Sequence, residues 1–82
     1  MYYVYILFNN ATGRYYIGYT PDLRKRIKKH LLGKVQSTKS NLNYKLISYT
    51  AFIGRKAALE FEKYLKSGSG VAFMKKRFLK SM

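Results

Sequence analysis

Apolar and polar positions fall into blocks whose period changes along the chain. Tyr2 to Phe8 is an aromatic and branched run in which both side-chain parities are apolar, the pattern of a strand covered on both faces. Asn9-Asn10-Ala11-Thr12-Gly13 supplies turn chemistry, and Arg14 to Tyr19 reads as the returning strand of a hairpin. Gly18 within that strand marks a bulge or a close backbone approach. Thr20-Pro21-Asp22 then opens a helix, with Thr20 as cap, Pro21 at the first helical position and Asp22 at the positive end. This helix runs to about Leu32 and is ended by Gly33, with Leu23, Ile27 and Leu31 on one face. Lys25, Lys28 and Lys29 face solvent, and Arg26 and His30 share one groove beside the apolar stripe.

Gly33 to Asn43 is a polar, basic loop, and Tyr44 to Ile53 is a third strand ended by Gly54. A second helix covers about Arg55 to Lys66, with Ala57, Phe61, Tyr64 and Leu65 toward the core and Ala58 near the edge. Glu62 and Glu60 stand at the two borders of that stripe. Ser67-Gly68-Ser69-Gly70 is a break, and Val71 to Lys80 a last helix that docks Val71, Met74 and Phe78. The order is strand, strand, helix, strand, helix, helix. It predicts an α+β fold: a small three-stranded antiparallel sheet flanked by helices, one domain over residues 1–82.

Charge changes the picture from fold to partner. Seventeen Lys and Arg against three Asp and Glu give a formal net charge of +14 over 82 residues. Such a surface attracts a polyanion, with DNA or RNA ahead of an anionic membrane surface or an acidic protein. The absence of cysteine excludes disulfides, thiolate chemistry and cysteine-ligated zinc, and one histidine excludes a multi-histidine metal site. No apolar run is long enough to span a membrane. Met1 to Tyr5 lacks the basic region of a secretion signal, so the expected location is the cytoplasm, with nucleoid association compatible with the charge.

Five residues group as candidate chemistry: Tyr5, Tyr16, Arg26, His30 and Glu62. Phosphodiester hydrolysis needs an activated water, neutralisation of a charged transition state and help for the departing oxygen. Arginine clamps phosphoryl oxygens, a carboxylate holds Mg²⁺ or Mn²⁺, and His or Tyr moves a proton. Glu62 also stands four residues before Lys66, the spacing of a surface ion pair. Lys34, Lys39 and Lys45 are candidates to line a nucleic-acid approach with Arg26, and Lys75, Lys76 and Arg77 form a second basic patch beside Lys80. Contacts to phosphate give affinity with little sequence choice.

Tyr3-Val4-Tyr5 followed by Tyr16-Ile17-Gly18 resembles the paired signature of the GIY-YIG endonuclease superfamily, with Tyr3 in place of the first glycine and Val4 in place of isoleucine. The stretch from Tyr16 through Arg26, His30 four residues on, Thr38-Lys39, and Glu62 to Lys66 extend the likeness over almost the whole chain. The chain looks like a small standalone member similar to the N-terminal catalytic domain of excinuclease C. The resemblance implies a three-stranded antiparallel sheet with flanking helices, and metal-dependent cleavage of DNA with Mg²⁺ or Mn²⁺, in a DNA-repair, recombination or mobile-element setting. By position it makes Tyr5 and Tyr16 the signature tyrosines, Arg26 the phosphate-side arginine and Glu62 the metal-binding acid. His30 matches a histidine of several active members. Which tyrosine activates water stays open at this level, as does DNA against RNA. Branched, flapped, nicked or single-stranded DNA is the expected substrate. A noncatalytic nucleic-acid-binding module, or a protein-interaction domain, is the competing expectation.

Overall fold

The computed structural model describes residues 1–32 and 44–77; the predicted loop with Lys34 and Lys39, and the predicted positions of Phe78 and Lys80, lie outside them. The elements are β1 (Tyr2–Asn9), β2 (Arg14–Thr20), α1 (Leu23–Leu31), β3 (Tyr44–Phe52), α2 (Arg55–Leu65) and α3 (Gly68–Arg77), in the predicted order. β1 is the middle of a three-stranded sheet and pairs antiparallel with both neighbours, giving the order β2-β1-β3. The turn from β1 to β2 is closed locally: the Asn9 side-chain oxygen accepts from the amides of Ala11 and Thr12, and the Gly13 amide donates to the Asn9 carbonyl.

The central place of β1 accounts for its doubly apolar pattern. Val4, Tyr5, Ile6 and Leu7 are each at most 2% exposed, so both faces are covered. On one face Val4, Ile6 and Ile17 pack with Ala58, Leu65 and Met74 of the α2–α3 pair, flanked by Phe52, Phe61 and Phe73. Register places Tyr5 opposite Gly18 and Leu7 opposite Tyr16 on the other face, where α1 brings His30 against the tyrosine rings. The pairing of β1 with β3 carries a register shift between Ile6 and Leu7.

Four local expectations are corrected. The cap of α1 is Asp22, whose carboxylate accepts from the Lys25 amide, because Thr20 Oγ1 instead accepts from the Asp22 amide and holds Pro21 outside the helix. In α1 the buried position belongs to His30, 2% exposed, and Leu31 is turned out to solvent. In α2 the buried alanine is Ala58; Ala57 is exposed, and Tyr64 is partly so. The expected break over Gly68 to Gly70 is the first turn of α3, where Ser67 Oγ accepts from the Gly70 amide. Gly70 is buried against the Tyr64 carbonyl, and the missing side chain is what lets α3 start so close to the end of α2.

Candidate active site

The site begins at two aromatic residues, Tyr5 and Tyr16, that lie diagonally across the β1–β2 pairing. Tyr5 is 1% exposed, and its ring lies over Gly18, where any side chain would collide with it. Glycine on β2 therefore lets a residue of the central strand extend its hydroxyl toward the edge strand. That hydroxyl is hydrogen-bonded to His30 Nε2 at 2.9 Å. Tyr16, half-buried on β2, completes the cluster: its ring centroid is 4.9 Å from that of His30 and 6.2 Å from that of Tyr5.

Electrostatics tie the remaining residues to this cluster. Burial, first of all, pushes the Tyr5 hydroxyl well above the ordinary phenol range, with the neighbouring Tyr16 adding to it. Arg26 pulls in the opposite direction and Glu62 reinforces the rise, so both charges lie within reach of the Tyr5 oxygen. Burial, and then Arg26, hold the His30 imidazole below its usual value, which keeps it neutral and able to accept a proton. Arg26 also borders a polar hollow shared with Lys25 and Lys29 at the start of α1.

Glu62 comes from α2, on the far side of the sheet. Its carboxylate accepts from Lys66 at 3.1 Å, as the four-residue spacing anticipates. Lys66 lines a groove with Tyr16, which places this end of α2 beside the edge strand. Among the described residues no three His, Cys, Asp or Glu come together. The oxygen chemistry that remains, one carboxylate within electrostatic reach of the Tyr5 hydroxyl, suits a hard cation completed by phosphate and water rather than a protein-built cage.

The structure thus brings together Tyr5, Tyr16 and His30 by contact, and Arg26 and Glu62 by electrostatic reach. Other basic candidates stand apart. Lys45 is exposed on β3, the opposite edge of the sheet from β2. Lys75, Lys76 and Arg77 are exposed on the last turn of α3. Sequence reasoning did not single out the groove beside Tyr16, because its lining comes from β2, α2 and α3, which share no common period or motif.

Comparison with known proteins bears on the family and the fold. The GIY-YIG catalytic domain matches residues 1–76. A UPF0213 protein of Streptococcus pneumoniae is 40% identical over 65 residues, covering 78% of this chain and 65% of that protein. The UPF0213 protein BH0048 of Halalkalibacterium halodurans is 38% identical over 65 residues, covering 78% of this chain and 68% of its own. These alignments span about two thirds of the relatives' length. The solution NMR structure of the UPF0213 protein BH0048 from Bacillus halodurans superposes with a TM-score of 0.57 at 34% identity, over 93% of this chain and 84% of that one. With the family match running over residues 1–76, the chain belongs to the GIY-YIG catalytic-domain family.

Proposed function

We propose that this chain is an endonuclease, hydrolysing DNA phosphodiester bonds with little sequence choice, as a relative of the excinuclease C catalytic domain. The observation that carries the reading is the Tyr16–Tyr5–His30 cluster, with Arg26 and Glu62 both within electrostatic reach of the Tyr5 hydroxyl. Tyr16 is the half-buried member and the one that water reaches. Its hydroxyl oxygen takes a proton from the attacking water as its own proton passes to Tyr5, and that of Tyr5 to His30 Nε2. The water oxygen bonds to phosphorus while the bond to the departing strand breaks, and the departing oxygen takes a proton from solvent. Arg26 opposes the charge gathering on the phosphoryl oxygens. Glu62 would hold Mg²⁺ or Mn²⁺ together with substrate phosphate and water, and the bound ion supplies Lewis-acid stabilisation of the transition state.

One observation favours a second reading. Glu62 is already paired with Lys66, and a lone carboxylate is a weak metal ligand, which suits a noncatalytic module that holds nucleic acid through Arg26 and the lysines. Glu62→Gln separates the two. Purified wild type and variant are given supercoiled, branched and single-stranded DNA with Mg²⁺, Mn²⁺ or EDTA. Nicking that EDTA abolishes, and that falls by at least a hundredfold in folded Glu62→Gln at similar DNA affinity, supports hydrolysis. Equal nicking by both proteins overturns the assigned site. Inactivity with salt-sensitive binding selects the module.

A further inference from the structure

A groove of about 350 Å³ runs between β2 and the α2–α3 pair, lined by Tyr15, Tyr16, Ile17, Leu65, Lys66 and Val71. Its composition is specific. Two adjacent aromatic residues and three aliphatic ones form the lining, and the one charge is an ammonium. The volume stands at the lower end of small-molecule sites, enough for one nucleoside and too little for a base pair. Tyr16 borders this groove and also belongs to the catalytic cluster, so the two are neighbours across β2. Lys66 directs one donor to Glu62 and carries two more on the same ammonium.

We propose that this groove receives the base of an unpaired nucleotide, whose phosphate lies against Lys66 beside Tyr16. The proposal rests on the nucleic-acid reading and deepens it by naming the subsite and the kind of strand it takes. The occupant follows from complementarity. The faces of a base are apolar and stack on tyrosine, but only when the base is unpaired and turned out of a helix. The phosphate attached to it is the anion that Lys66 and a chain of net charge +14 attract. A fully paired duplex presents phosphates to the same cations but hides its base faces, so it gains nothing from the groove.

The chain contains no tryptophan, which makes a direct reporter available. Tyr15→Trp keeps an aromatic wall and places a single indole in the groove, whose emission is quenched when a base stacks on it. An oligodeoxythymidine is expected to quench that emission, and a blunt hairpin duplex to leave it within a few per cent. In parallel, Val71→Phe narrows the groove without touching Tyr16 or Lys66. By fluorescence anisotropy it is expected to weaken oligodeoxythymidine binding about tenfold, the scale of one lost stacked base, and duplex binding less than twofold. Circular dichroism and a denaturation midpoint confirm folding of each variant, and the tryptophan reporter decides the matter if Val71→Phe does not fold. Oligodeoxythymidine binding with no quenching, or equal losses for single strand and duplex in folded Val71→Phe, overturns the subsite and leaves the nucleic-acid reading standing. A wild type that binds neither probe at low salt overturns both.

Discussion

Gly18 and Tyr5 work as one feature, since the ring of the second occupies the space the first leaves empty. The sequence marks Gly18 only as a close approach, and Tyr5 as a tyrosine within an apolar run; which residue approaches is a matter of register. Gly18→Ala forces the buried ring aside and breaks its bond to His30, at a cost of about 1–3 kcal/mol typical of an overpacked core. A lowered urea midpoint with cleavage reduced to the level of Tyr5→Phe is the expected outcome. His30 yields a second prediction at this scale. Its folded value lies below the usual imidazole value, so the unfolded chain takes up the proton first as pH falls. Stability is therefore full above about pH 6.5, declines as pH drops below that, and levels off once pH is under the folded value. Urea midpoints measured between about pH 7.5 and pH 5 should fall for wild type and stay flatter for His30→Gln.

At the scale of elements, strands were more legible than helix faces. The unbroken apolar run of β1 has one explanation, a middle strand with both faces covered, and the structure gives it that place. Helix faces depend on rotations of a few tens of degrees that periodicity does not resolve. Ala58 rather than Ala57 meets the sheet because the α2 stripe is set by Leu65 two turns on. His30 displaces Leu31 from the buried side of α1 because its nitrogen is bound to a buried hydroxyl. The glycines in the first turn of α3 read as a break by propensity, yet tertiary contact decides them. A paired substitution tests this. Gly70→Ala gains about 1 kcal/mol in helix propensity but drives a methyl into the Tyr64 carbonyl, so it should lower the denaturation midpoint sharply. Gly68→Ala meets nothing within 4 Å and should leave the midpoint unchanged or slightly raised. Equal effects would show that the α2–α3 junction adjusts freely.

For the whole molecule, charge and site are separable, and the sequence reveals them in different ways. The five candidate site residues come from two strands and from helices on both sides of the sheet, and spacing along the chain does not reveal that α2 brings Glu62 within reach of Tyr5. The positive surface is plain from composition, but its distribution is not: Arg26 lies at the site, Lys45 on the far edge, and Lys75, Lys76 and Arg77 at the end of α3. A strand that reaches the α3 patch as well as the site makes more phosphate contacts than one held at the site alone. Each such contact releases counterions and steepens the dependence of affinity on salt by roughly 0.9 in the log–log slope on duplex DNA. Replacing Lys75, Lys76 and Arg77 together by Gln should therefore weaken binding similarly for unrelated sequences and reduce the slope by up to about 3. Anisotropy titrations of one duplex hairpin at several salt concentrations measure both quantities. A smaller affinity with an unchanged slope would mean that the three cations act only through the general field of the protein. An unchanged isotherm would assign them to a solvated helix face, and would confine the phosphate path to Arg26, the lysines of α1 and the groove beside Tyr16.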